Sequence, residues 1–165
     1  MRRIGLAMGA VLALGIFAAL PFGCGGSASV SQCPGGPDCT CASDTSCTCN
    51  EQGNCGFSCS GESCQFTCAA GSTCDGTCGK SCDATCADGA ACDLTLGESS
   101  DFNCNNADCT LTVGNEVDVH CNGGTCDVTC TGKCSVECKG DATCQIQCPG
   151  DSGLKPFEGT ATCGG

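Results

Sequence analysis

The chain has 165 residues, of which 25 are cysteine and 26 glycine; it has no tryptophan or tyrosine, and its formal net charge is −12. Such acidity argues against nucleic-acid binding and against electrostatic adhesion to anionic lipid, and without Trp or Tyr the stacking platforms for sugars and bases are missing. Apolar residues are sparse and mostly single, so hydrophobic burial alone would be marginal and disulfides must supply much of the stability.

The N-terminal end reads as a targeting segment. Arg2 and Arg3 are followed by an apolar run over residues 4–20, the length of a signal-peptide core and too short for a comfortable membrane span. Next comes Pro21-Phe22-Gly23-Cys24-Gly25-Gly26. This stretch resembles the lipobox of bacterial lipoproteins, in which a small residue precedes the cysteine that is acylated and becomes the mature N-terminus. Gly23 and Cys24 match the motif, and Pro21 departs from the usual aliphatic residue. The resemblance implies a signal peptide over residues 1–23, lipidation of Cys24 with acyl chains such as palmitate, and a membrane as the anchor's partner. Gly25, in place of Asp, implies the outer membrane by similarity to enterobacterial sorting. The Arg pair lacks the surroundings of a twin-arginine signal, so the general secretory route is expected. Cysteine arithmetic reaches the same residue independently: 25 is odd, and setting Cys24 aside leaves 24 that can all pair. The mature chain keeps four Lys and no Arg against 18 acidic residues, a net charge of 4 − 18 = −14.

Residues 24–38 are rich in Gly, Ser and Pro and read as a lipidated N-terminus and flexible tether. Residues 39–165 read as one Cys-rich domain. Its N-terminal cap, 39–54, carries Cys39-Thr-Cys41 and Cys47-Thr-Cys49 as shortened strands, because an open sheet edge recruits further strands.

From Cys55 to Cys148 one phrase recurs: a turn, then Cys-x-apolar-x-Cys, as in Cys64-Gln-Phe-Thr-Cys68 and Cys126-Asp-Val-Thr-Cys130. Alternation at period two is the signature of a strand. The central residues are Phe57, Phe66, Gly76, Ala84, Leu94, Phe102, Leu111, Val119, Val128, Val136 and Ile146. Their spacings alternate between a longer and a shorter step, so the true repeat is two strands and about 18 residues, with one tight and one wide turn. Two strands per coil predict an all-β fold, a two-sided parallel β-solenoid about 26 Å long. Each tight turn holds a glycine (Gly61, Gly79, Gly97, Gly114, Gly132), expected to supply positive φ. The wide turns are 69–73, 87–91, 105–108, 122–125 and 139–143. After Pro149 the pattern breaks, and residues 149–165 are the expected C-terminal cap. Disorder gives no reason for alternation in register. Cys121-Asn-Gly-Gly-Thr-Cys126 is similar to a fragment of an epidermal-growth-factor repeat, but the uneven spacing of that family is not followed elsewhere.

The positions that lack cysteine predict the disulfides. Tight turns are flanked by Cys59/Cys64, Cys78/Cys82, Leu96/Ser100, Val113/Val117 and Cys130/Cys134: cysteine on both sides or on neither. Wide turns carry it on both sides: Cys68/Cys74, Cys86/Cys92, Cys104/Cys109, Cys121/Cys126 and Cys138/Cys144. Concerted loss means that partners face each other across a turn, whereas a ladder between coils gives no reason for it. Extending the rule to the ends gives Cys33–Cys39, Cys41–Cys47, Cys49–Cys55 and, by elimination, Cys148–Cys163. Each short bridge closes a loop of about five residues, worth about 2 kcal/mol on the chain-entropy model.

No catalytic residue, cofactor or metal is expected. The one histidine, His120, is placed outward on a strand, and there is no nucleophile elbow, Walker loop or dinucleotide fingerprint. Cys39-x-Cys41 and Cys47-x-Cys49 resemble metallothionein spacing and leave a metal-thiolate protein as an alternative, weighed against an apolar residue between most cysteines and an oxidising compartment. Gly123-Gly124-Thr125-Cys126-Asp127 resembles a calcium β-roll turn, with Cys126 where a third glycine should stand. On the first sheet's outer face the register stacks Thr77, Thr95, Thr112 and Thr129, beside Asp75, Asp93, Thr110 and Asp127. Small cysteine-stapled insect antifreeze proteins are similar in carrying Thr-x-Thr rows on a flat solenoid face; Thr110-x-Thr112 alone has that form here. Ice or cation binding through this ladder is a second alternative, against a solvated face whose Thr suit strands. The expectation is an envelope-anchored lipoprotein, structural or ligand-binding, whose protein or carbohydrate ligand the sequence does not name.

Overall fold

A computed structural model describes residues 31–33, 36–40 and 45–164, with side chains from Thr45 onward. In chain order the strands are β1 (Ser31–Cys33), β2 (Gly36–Thr40), β3 (Ser46–Cys49), β4 (Asn54–Glu62), β5 (Gln65–Cys68), β6 (Thr73–Lys80) and β7 (Asp83–Cys86). Then come β8 (Ala91–Glu98), β9 (Asp101–Val113), β10 (Val117–Cys130), β11 (Cys134–Lys139), β12 (Thr143–Gln147), β13 (Lys155–Phe157) and β14 (Gly159–Cys163). No helix occurs among the described residues.

These strands wind as the expected two-sided parallel solenoid. On one side β2, β4, β6 and β8 run into the second halves of β9 and β10 and then β12; on the other β1, β3, β5 and β7 run into the first halves of β9 and β10 and then β11. β9 and β10 continue through the wide corner because their turns, 105–108 and 122–125, are one residue shorter than the others and stay paired, Asn105 with Asn122 and Ala107 with Gly124.

Inside the coil the central residues stack in two columns. Phe57, Gly76, Leu94, Leu111, Val128 and Ile146 line one sheet; Phe66, Ala84, Phe102, Val119 and Val136 line the other. All but Gly76 are buried. The coil that holds Gly76 and Ala84 contributes little volume of its own. Its neighbour fills the space: the Phe57 and Phe66 rings stack with centroids 4.6 Å apart. A Cβ on Gly76 would lie 2.6 Å from the Phe57 carbonyl oxygen, so glycine is required where the two backbones approach closely.

Among the described residues ten disulfides tie the corners, each joining a cysteine to the next in sequence: Cys49–Cys55, Cys59–Cys64, Cys68–Cys74, Cys78–Cys82, Cys86–Cys92, Cys104–Cys109, Cys121–Cys126, Cys130–Cys134, Cys138–Cys144 and Cys148–Cys163. Such bridge density belongs to an oxidising, exported environment. Of the remaining expected bridges, Cys33–Cys39 lies outside the described side chains. Cys47 is disulfide-bonded, and its expected partner Cys41 lies outside the described residues.

Two expectations are corrected. The tight-turn glycines do not supply positive φ; Ser63, Ser81, Ser99 and Glu116 do, with φ from 52° to 59°. The glycines are there for close approach between coils, since a Cβ on Gly97 would lie 1.4 Å from the Gly79 carbonyl oxygen. Left-handed glycine belongs to the wide corner, at Gly71, Gly89, Gly123 and Gly140. The tether is also shorter than expected: Ser31–Cys33 and Gly36–Thr40 are strands paired with β3 and β4. Pro37 misled the composition argument. It is tolerated because β2 stands at the end of the strand order and its register shifts between Gly36 and Cys39.

At the C-terminal end the chain reverses. β13 pairs antiparallel with β12 and β14 antiparallel with β11, covering the last parallel strand of each sheet with short strands. Cys148–Cys163 pins this cap. Asp151 holds its base, accepting a hydrogen bond from the Cys148 amide at 3.2 Å and ion-pairing with Lys155. These contacts, Lys155 first, lower the Asp151 carboxyl below the ordinary carboxylate range.

Candidate functional site

The outward faces of the two sheets carry what chemistry the rod offers. On the first, the register pairs Thr77 with Thr95, Thr95 with Thr112 and Thr112 with Thr129, and extends the column to Ser58. Beside it Asp75 pairs with Asp93, Asp93 with Thr110 and Thr110 with Asp127. All eight side chains face outward; Asp127 and Thr129 are half-buried and the rest exposed. Asp127 is partnered, its Oδ1 accepting from Gln145 Nε2 at 3.2 Å. Asp75 and Asp93 meet as like charges one coil apart, an arrangement that costs stability.

The second face carries a matching ladder that the sequence reading passed over. Thr48, Thr67 and Thr85 stack, followed by Asn103, His120 and Glu137. The neighbouring column runs Ser46, Gln65, Asp83, Asp101, Asp118, Ser135. Three carboxylates therefore stack in succession here, a longer acidic run than on the first face. The signal lay in the same phrases: the x positions of Asp83-Ala84-Thr85 and Asp101-Phe102-Asn103 follow the rule already applied to the first sheet.

His120 is outward, as expected, but it has a partner. Its Nδ1 lies 3.0 Å from Glu137 Oε2, and Lys139 Nζ lies 2.8 Å from the same oxygen. Lys139 and then His120 lower the Glu137 carboxyl below the ordinary carboxylate range. Glu137 and Lys139 lie two residues apart on β11, and parallel pairing places His120 opposite Glu137. The cluster orients the His120 imidazole through Glu137.

Sulfur atoms form the densest grouping. Cys59, Cys64 and Cys78; Cys68, Cys86 and Cys92; Cys104, Cys109 and Cys126; and Cys130, Cys134 and Cys163 each place three Sγ atoms within 4.8 Å of one another. The spacing would suit a thiophilic ion. Every one of these sulfurs is tied in a disulfide, however, so these four trios offer no thiolate for it to bind. The turn Gly123–Asp127 is folded as a wide corner closed by Cys121–Cys126, with the Asp127 side chain turned to Gln145. Cys24 lies outside the described residues. Comparison with family models, with curated proteins and with solved structures finds no match to this chain.

Proposed function

We propose that this is a cell-envelope lipoprotein: an acyl anchor at Cys24 and a stiff, acidic, non-catalytic rod with a structural or ligand-binding role at the outer membrane or cell surface. The observation that carries the reading is the cysteine balance. Among the described residues ten bridges take 20 of the 25 cysteines and Cys47 is bridged as well; with Cys47 joined to Cys41 and Cys33 to Cys39, as the sequence rule expects, Cys24 is the odd one. In an exported, disulfide-rich chain a leftover thiol calls for a use, and acylation at Gly23-Cys24 supplies one. The rod suits a non-catalytic role because its outer faces are flat ladders of Thr, Asp, Asn and Gln, with His120 engaged by Glu137.

Expression of the full precursor and of Cys24→Ser in a lipoprotein-processing host tests this. The native chain should partition with membranes, at a mature mass that begins at Cys24 and includes acyl chains. Cys24→Ser should accumulate as precursor or be released unacylated. A processed, membrane-bound Cys24→Ser protein would overturn the reading.

A further inference from the structure

We propose that Cys148 is a thiol–disulfide exchange site for small thiols, with Cys163 as an internal thiol that passes the exchange into the body of the rod. Three observations converge on the cap. The first is access. Among the described half-cystines Cys138 and Cys148 are half-buried, and every other one is exposed by 4 % or less. An attacking thiolate must reach sulfur, so among the described bridges exchange starts at one of these two. The second is proximity. The Cys163 Sγ lies within 4.8 Å of both sulfurs of the Cys130–Cys134 bridge, while Cys138 belongs to no such trio among the described residues. The third is register. Cys163 on β14 stands directly opposite Cys134 on β11 in an antiparallel ladder, and opposed residues in such a ladder have Cα atoms about 4.5–5.5 Å apart, within disulfide reach.

The exchange balances in two steps. A small thiolate attacks the Cys148 Sγ; a mixed disulfide forms on Cys148, the Cys148–Cys163 bond breaks, and Cys163 leaves as thiolate. The Cys163 thiolate then attacks the Cys134 Sγ; Cys134–Cys163 forms, Cys130–Cys134 breaks, and Cys130 leaves as thiolate. No net oxidation occurs, and the only co-reactant is the external thiol. The second bridge still pins β14 to the rod, now across the β11–β14 ladder, while Cys148 carries the adduct. Opening at Cys138 has no such close continuation, because among the described residues its bridge belongs to no trio of sulfurs within 4.8 Å of one another. The cap bridge also differs from the corners in span: it joins residues 15 apart, against four to six for the others.

A pulse of glutathione on the native full chain, quenched in acid, alkylated and mapped by mass spectrometry without reduction, tests the proposal. The first product should carry glutathione on Cys148, an alkylated Cys130 and a Cys134–Cys163 crosslinked peptide. First opening at any other of the ten described bridges overturns the site. Glutathione on Cys148 with Cys163 alkylated and Cys130–Cys134 intact overturns the transfer. The variant Cys148→Ser gives a second reading without added thiol: Cys163 should be found joined to Cys134, with one free thiol at Cys130. Recovery of Cys163 as the free thiol in a folded variant contradicts the transfer. Should that variant not fold, the pulse on the unaltered chain decides alone.

Discussion

The two corners of the coil solve one problem in two ways. At the wide corner every described coil is bridged, from Cys49–Cys55 to Cys138–Cys144. At the tight corner the stack is interrupted: Cys59–Cys64 and Cys78–Cys82 are followed by Leu96 with Ser100 and Val113 with Val117, and bridging resumes at Cys130–Cys134. All four replacements are buried at 2 % exposure or less. Ser100 also makes its own hydrogen bonds, its Oγ accepting from the Cys82 amide at 3.1 Å and lying 3.4 Å from the Glu98 carbonyl. The tight corner thus tolerates loss of the covalent link where buried side chains, Leu96 with a hydrogen-bonded Ser100 or Val113 with Val117, occupy the same interior space. The wide corner contains turns such as Ala69-Ala70-Gly71-Ser72-Thr73, and apart from cysteine it buries only Ser72, Ala90 and Ala107 of its described turn residues above the size of glycine. With so little side chain to bury, the bridge is its main restraint.

The sharpest way to break this comparison is to disturb what both corners need, the close stacking of coils. Gly97→Ala places a Cβ 1.4 Å from the Gly79 carbonyl oxygen, and neither backbone can yield without moving a whole coil. A loss of about 3 kcal/mol is expected in chemical denaturation. Gly153→Ala, where nothing lies within 4 Å, serves as the control and should change stability by less than about 0.5 kcal/mol. Equal effects of the two changes would rule out close stacking as the role of these glycines.

Exchanging the corners' devices sharpens it. Leu96→Cys with Ser100→Cys should form a bridge and gain up to about 2 kcal/mol, less the lost packing of Leu96. Cys86→Val with Cys92→Val should lose about 2 kcal/mol, because the wide corner has no other restraint of comparable size. Thermal melts with a free-thiol count measure both. An unbridged double cysteine at 96 and 100, or a Cys86/Cys92 double valine as stable as the native chain, would mean that the corners do not differ as described.

The smallest effect concerns pH. Asp151 at the cap and Glu137 on β11 have folded-state pKa values below the ordinary range. A depressed carboxyl contributes stability that is present above its unfolded pKa and is lost as pH falls through the folded value. Acidification below the ordinary carboxylate range should therefore loosen the cap, while both corners, covalent or apolar, hold. Amide exchange at residues 155–163 should speed up in acid relative to residues 91–113. Uniform exchange along the rod would show that these ion pairs do not hold the cap.

Most of this architecture was legible because its signals are covalent or periodic. The paired loss of cysteine at 96/100 and 113/117 identifies bridges across a turn, and period-two alternation fixes which side chains point inward. What was missed depends on distances between coils. Gly79 and Gly97 looked like turn formers because no sequence rule distinguishes glycine that needs positive φ from glycine that needs close contact. Residues 31–38 read as tether because Pro and Gly are common to linkers and edge strands. The partnership of His120 with Glu137 spans 17 residues and becomes visible once coil is laid on coil.

Every described corner bridge closes a turn within one coil, and proteolysis of the unreduced, alkylated chain followed by peptide mapping tests this most directly. Linked peptides are expected for Cys68–Cys74, Cys86–Cys92 and Cys104–Cys109, each joining neighbours in sequence. A bridge between stacked cysteines of successive coils, such as Cys74–Cys92, would contradict it.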